Sequence, residues 1–376
     1  MGVYLMLNIV QKFSLTTVAT TLISLGSIAN PAMAATLYNL TDLGTLGGNT
    51  SYAYGINNRG QVVGSSLTAS GNMQAFIWEN GVMTGLGAFG GNASIANDIN
   101  DSGQVVGYAE TNIAGWGGWV KRAFVWDSQA GMQQLSSSSP TFYNTSATGI
   151  NNRGEIVGYS WFYHASQSLL WENSIDPASY IVNNGNNNAI DINNSGQIIG
   201  LQLGSQLLTA SSLLWDKNNT ITIAGFLSNV NAINDRGQIV GKNYLNPNAF
   251  IWDKNQGIQD IDLRNAYDIN NSGQVVGSSS NRAFIWENGI ATDLNLLLAV
   301  TSQWQLKEAK AINNNGQIVG YGSLDGVDHA FLLTPVSEEV PEPTSILGII
   351  SFGAYCFGSR WQRKNKSSHL NNSNLN

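Results

Sequence analysis

Nine residues, Ile56-Asn57-Asn58-Arg59-Gly60-Gln61-Val62-Val63-Gly64, recur with small changes along a chain of 376 residues. The further copies are Ile99–Gly107, Ile150–Gly158, Ile192–Gly200, Ile233–Gly241, Ile269–Gly277 and Ile312–Gly320. The glycine inside the turn falls at 60, 103, 154, 196, 237, 273 and 316, so successive units are spaced by 43, 51, 42, 41, 36 and 43 residues. Each unit of such an array is one supersecondary element whose apolar faces must be covered by its neighbours.

Every copy is followed by a second phrase. It reads Ala75-Phe76-Ile77-Trp78-Glu79-Asn80-Gly81 in the first unit and Ala283-Phe284-Ile285-Trp286-Glu287-Asn288-Gly289 in the sixth. Trp recurs at this place as Trp78, Trp126, Trp171, Trp215, Trp252 and Trp286, with Leu333 in the seventh unit. The unit reads as four short strands. A first strand such as Ala266-Tyr267-Asp268-Ile269 runs into the Asn-Asn-x-Gly turn, and Gln-Val-Val-Gly forms the second. Phe-Ile-Trp forms the third, and a turn such as Glu79-Asn80-Gly81 introduces the fourth, Val82 to Leu86. Asn and Gly suit these turns because hairpin connections need positive φ. Four strands in about 40–45 residues predict β-propeller blades, since β-helix coils are shorter. Blade sheets are covered on both faces, which explains why Phe-Ile-Trp is continuously apolar. The seventh unit ends at Pro335 without a fourth strand, while Tyr38–Gly44 is an unassigned strand near the other end. The expectation is an all-β, seven-bladed propeller of four-stranded blades, with the N-terminal strand completing the last blade and removing the open edge.

Composition now has a location. The chain carries 46 Asn and 41 Gly, and only 11% of its residues are charged. Seven Asn-rich turns and their hairpins account for much of that surplus. With 43% hydrophobic residues it is not a solvated coil, and a net charge of −7 without a Lys/Arg stripe excludes a basic nucleic-acid binder.

The two ends read as addresses. Residues 1–34 carry Lys12, an apolar run from Phe13 to Ile28, and Ala32-Met33-Ala34, the small residues that signal peptidase reads before a mature start at Ala35. Residues 35–336 form the propeller and 337–344 a linker with Val340-Pro341-Glu342-Pro343. Residues 345–376 hold an uncharged stretch to Ser359 and then Arg360, Arg363, Lys364 and Lys366. That apolar stretch is short for a stable span, and the basic cluster would hold its end in the cytoplasm. Between Ala35 and Thr344 lie 24 acids against 12 bases, so the exported body is acidic. The only cysteine, Cys356, lies in the tail, so the body has no disulfide.

Pro-Glu-Pro, a short span and an Arg-rich end together resemble the PEP-CTERM sorting signal of bacterial surface proteins. The resemblance implies transient membrane anchoring and removal of the tail by exosortase. The polar extension Ser367–Asn376 departs from that pattern. The repeat unit itself resembles the HAF repeat of extracellular bacterial proteins often found with such tails. The naming His survives only in His329-Ala330-Phe331, where the other copies have Gln74, Arg122, Ser168, Ser212, Asn248 and Arg282.

No catalytic, metal or cofactor constellation is recognised in the body. Its histidines, His164 and His329, lie on different blades, and no nucleophile elbow or phosphate loop occurs. Asn100-Asp101-Ser102-Gly103 and Asn234-Asp235-Arg236-Gly237 superficially resemble calcium loops, yet plain turn chemistry accounts for them better. The sequons at Asn144 and Asn193 are chance products of Asn-rich turns. The 51-residue step brings inserted material and an aromatic cluster: Trp116, Trp119, Trp161, Phe162, Tyr163 and His164. Such rings either cover a blade edge or offer flat faces to sugars and proteins. The reading that follows is a non-enzymatic, exported propeller of the cell surface or extracellular matrix. Its partners would be exopolysaccharide or another surface protein, with Trp116, Trp119, Trp161 and Tyr163 as the ligand surface. The alternative is a surface glycan hydrolase or lyase using Asp98, Asp191 and Asp268 around the channel, against which stands the habit of aspartates beside turns of bonding the backbone.

Overall fold

The computed structural model describes residues 36–336 apart from 116–117, 138–143, 164, 173–177, 182–185, 204–210, 217–218, 225–227 and 244–245. Residues 1–34, read as a signal peptide, residues 337–376, read as linker and sorting segment, Trp116 and His164 lie outside the described residues. Among the described residues no helix is long and apolar enough to cross a membrane.

Seven four-stranded antiparallel sheets follow one another along the chain, each a meander from an inner first strand to an outer fourth. Each inner strand touches that of the next blade, and the last touches the first, so seven blades close around an axis. Blade 7 takes its outermost strand from the other end of the body. Tyr38–Asp42 pairs antiparallel with Val327–Pro335, in the register Tyr38 to Pro335 and Asp42 to Phe331. His329 of the same blade places Nδ1 3.1 Å from Oδ2 of Asp42, so its side chain braces the closing strand.

The core is seven wedges, one between each pair of blades. Phe76 and Trp78 pack toward blade 7 beside Ala311, Val319 and Leu332. Ala75 and Ile77 of the same strand pack toward blade 2 beside Ala96, Val105 and Phe124. Both faces of a blade are therefore interior, as the unbroken apolar runs require.

Two glycines per unit have separate physical causes. The turn glycine has φ between +74° and +86° in all seven copies, a region that costs other residues strain. The glycine that ends Gln-Val-Val-Gly has no such φ. A Cβ there would sit 1.9–2.2 Å from a carbonyl oxygen of the inner strand, Tyr52 O for Gly64 and Ser146 O for Gly158. Beside it the inner strand shifts register by one residue, for example between Ala147 and Gly149, which brings the two backbones together. Gly158→Ala should therefore cost about 2–3 kcal/mol, read as a lower urea midpoint at unchanged m.

Candidate functional site

The inner strands give the channel two chemically different ends. At one end the seven Asn turns line a hollow of about 170 Å³ to which every blade contributes. The first Asn of each turn, Asn57, Asn100, Asn151, Asn193, Asn234, Asn270 and Asn313, is only 3–4% exposed. Its Oδ1 accepts the N–H groups two and four residues later, as Asn57 does from Arg59 and Gln61 at 3.1 and 3.0 Å. Its Nδ2 donates to the side chain four residues on, Gln61 Oε1 at 2.7 Å in the first blade and Glu155 Oε2 at 2.6 Å in the third. The second amide proton crosses to the next blade, where it meets the backbone oxygen of the corresponding Asn at 2.9–3.2 Å. Asn313 donates to Asn57 O, so the seven bonds form a closed ring. All of an asparagine amide's main hydrogen-bonding positions are filled.

A second ring lies nearer solvent. The backbone N–H of Asn58, Asp101, Asn152, Asn194, Asp235, Asn271 and Asn314 each donates to the side-chain oxygen of the next member at 2.8–2.9 Å, and Asn314 closes on Asn58. Asp101 Oδ2 also accepts amide protons from Asn58 and Asn152, and Asp235 Oδ2 from Asn194 and Asn271. Burial alone would push the Asp235 carboxyl up, but the Asn271 and Asn194 bonds outweigh it and hold the group below its ordinary value. The loops read as superficially calcium-like are thus engaged in blade-to-blade bonding. Among the described residues no group of three or more His, Cys, Asp or Glu could hold a metal ion.

Just inside the rings, Asp98, Asp191 and Asp268 stand on blades 2, 4 and 6. Each bonds its own following Ile N–H through Oδ1 and the Ile N–H of the next blade through Oδ2. The cross-blade distances are 2.9 Å to Ile150, 3.0 Å to Ile233 and 2.8 Å to Ile312. The three do converge, since burial first and then mutual repulsion push Asp191 well above the ordinary carboxylate range. Asp98 is pushed up to about 7 and Asp268 to about 6, both chiefly by burial. They are half-buried clamps between blades, with both oxygens occupied. The sequon asparagines are equally committed: Asn193 belongs to the inner ring, and Asn144 Oδ1 accepts Lys121 N–H at 2.9 Å.

The opposite end is aromatic. The residue after each Gln-Val-Val-Gly is Tyr108 in blade 2, Tyr159 in blade 3 and Tyr321 in blade 7, and the inner strands add Tyr52, Tyr54 and Tyr267. The Tyr52 and Tyr321 rings meet edge to face at 5.0 Å across the blade 7–1 boundary. Glu308 accepts hydrogen bonds from the Tyr267 and Tyr321 hydroxyls and pairs with Lys310, whose Nζ lies 3.8 Å from the Tyr267 ring centre. It also acts electrostatically on Tyr54 of blade 1. A carboxylate reached from blades 6, 7 and 1 at once sits near the axis. Burial, then Glu308, pushes the Tyr321 hydroxyl well above its usual range and Tyr267 up to about 12.

Of the four aromatics expected at a ligand surface, Trp119 is 43% and Tyr163 64% exposed, Trp161 is half-buried, and Trp116 is outside the described residues. The blade 2 hairpin pairs Ala114 with Trp119, and the blade 3 hairpin runs from Trp161 through Tyr163, which has φ +53°. Trp161 lies 5.4 Å from Tyr159, so that ring meets a channel tyrosine, and Phe162 and Tyr163 form a separate pair at 4.5 Å. Sequence reasoning missed Tyr54, Tyr108, Tyr159, Tyr267, Tyr321 and Glu308. The available signal was the tyrosine that follows three of the seven Gly-ended strands.

Geometry of this kind defines a seven-bladed β-propeller. A family described as a protein of unknown function (DUF3466) matches residues 49–137, nearly all of the first blade and all four strands of the second. No curated protein matches the chain. Similar solved structures include virginiamycin B lyase from Staphylococcus aureus, with TM-score 0.51 and 11% identity over 80% of this chain and 100% of that one. A puromycin-hydrolysing peptidase of Mycobacterium tuberculosis gives TM-score 0.51 and 11% identity over 82% of this chain and 54% of that one. YCF48 bound to D1 peptide gives TM-score 0.51 and 10% identity over 83% and 99%. At such identities the likeness is one of fold alone.

Proposed function

We propose that the chain is an exported, non-enzymatic propeller of the cell surface or extracellular matrix, sorted by its PEP-CTERM-like tail. It binds polysaccharide or a surface protein through the aromatic end of blades 1–3. The observation that carries this reading is the Tyr159–Trp161 ring contact at 5.4 Å, with Tyr108 within electrostatic reach of Tyr159 and with exposed rings on both hairpins, Tyr163 in blade 3 and Trp119 in blade 2. The hydrolase or lyase alternative loses its support where Asp98, Asp191 and Asp268 spend both oxygens on backbone N–H groups.

The test is retention of the exported protein on the cell's own exopolysaccharide. Trp161→Ala should weaken it about tenfold, the worth of one stacking ring. Absence of retention by the unsubstituted protein removes the polysaccharide version, and capture of a defined surface protein that Trp161→Ala also weakens would replace it.

A further inference from the structure

The channel end holds more than a continuation of the rim. Its charges are cancelled locally: Lys310 pairs with Glu308, and Lys307 with Asp328. What remains presented are half-buried phenols from blades 6, 7, 1, 2 and 3. They form a chain in which Tyr321 touches Tyr52, Tyr54 lies within electrostatic reach of Tyr52 and Tyr108, and Tyr108 within reach of Tyr159. From this arrangement we propose that the channel mouth binds a neutral glycan, the rim aromatics of blades 2 and 3 holding the part of the chain that extends outward.

Charge decides the ligand class. A polyanion would approach a body with 24 acids against 12 bases, and at the mouth it would have to compete with Glu308 and Asp328 for Lys310 and Lys307. A cationic polymer would have to displace internal cations, because Lys310 lies over Tyr267 and Lys121 lies 4.6 Å from the Tyr108 ring centre. A neutral sugar meets neither obstacle. It needs hydroxyl groups that stay protonated and apolar faces for its C–H surfaces, and both are present. Burial keeps Tyr54, Tyr108, Tyr159 and Tyr321 above the ordinary phenol range, so these groups exchange hydrogen bonds and do not act as phenolate bases. Glu308 orients two of them, which preorganises the mouth without adding net charge.

This inference rests on the glycan version of the proposed function, and its test separates the two. The full chain is run in affinity gels containing a neutral glucan, a polyuronate or chitosan oligomers. The neutral glucan should retard it and the charged polymers should not. Tyr267→Phe together with Tyr321→Phe removes two hydroxyls while keeping the rings, and should weaken retardation about tenfold or more, given roughly 1 kcal/mol per hydrogen bond. An unchanged thermal midpoint shows that the loss is local. Trp161→Ala serves as the rim variant. Retardation lost in Trp161→Ala but intact in the double Phe variant overturns the channel site and leaves the rim reading standing. Selective retardation by the polyuronate or by chitosan overturns the assignment of a neutral ligand. No retardation by any polymer overturns both.

Discussion

Asn57→Ala should lower folding stability by about 3–5 kcal/mol, several times the effect of alanine at the outer-ring Asn58. Asn57 accepts the N–H groups of Arg59 and Gln61 and donates to Gln61 Oε1 and to Asn100 O. Truncation leaves two buried donors and two acceptors behind. Each would cost about 1–3 kcal/mol if wholly orphaned, and water entering from the adjacent hollow recovers part of that. Asn57→Asp should be worse, because it removes both donors and places a carboxylate against two oxygens. Asn58 is half-buried beside solvent, so alanine there should cost about 1 kcal/mol. Urea unfolding of the three variants checks the order. Equal costs at Asn57 and Asn58 would mean that the inner ring is not a strong inter-blade bond.

The same ring shows which parts of this protein were legible beforehand. Seven copies of one phrase determine seven blades, and the missing fourth strand after Pro335 points to Tyr38–Asp42. Both follow from spacing and the need to cover apolar faces and edges. The Asn-x-Gly turns read correctly as turns, because Gly at positive φ is a local requirement. Their second role was hidden. A bond from Asn57 to Asn100 depends on a blade 43 residues away, and no local pattern encodes it. The repeated Gln or Glu four residues after each Asn was the visible trace, since it takes the other amide proton. In the outer ring, Asp occurs only at 101 and 235, each flanked by two Asn, as a carboxylate with acceptors alone demands. The tyrosine end was missed for the opposite reason: it is built from positions that differ between copies, so repetition averages it away.

Stability should fall as pH rises from about 4 to about 7, because Asp98, Asp191 and Asp268 hold protons in the folded protein that the unfolded chain, with aspartates near 3.9, has already released. The sign follows from folded-state values above the unfolded one: the contribution is present below about pH 4 and is lost through the folded values, about 7 for Asp98 and about 6 for Asp268. Each tenfold difference in acidity is worth about 1.4 kcal/mol, so Asp98 and Asp268 amount to several kcal/mol and Asp191 acts in the same direction. Asp235, held below its ordinary value, contributes in the opposite direction only at more acid pH. The groups facing the three carboxyls explain why nothing compensates them. Their partners are the N–H groups of Ile99, Ile150, Ile192, Ile233, Ile269 and Ile312, and the charges acting on them are one another. Small residues at the equivalent positions, Gly55, Gly149, Ala232 and Ala311, leave room for them; a Cβ on Gly149 would stand 3.0 Å from Asp191 Oδ1. Acid and small residue alternate around the ring, and since seven is odd the alternation breaks once, between Ala311 and Gly55. Asp98→Asn keeps one acceptor oxygen for two N–H groups, so it should lose stability at pH 5 and flatten the fall between pH 5 and 7.5. Urea midpoints at the two pH values measure this. A wild-type protein with equal midpoints, or an Asp98→Asn variant with the original slope, would show that these carboxyls ionise freely and are hydrated in the channel.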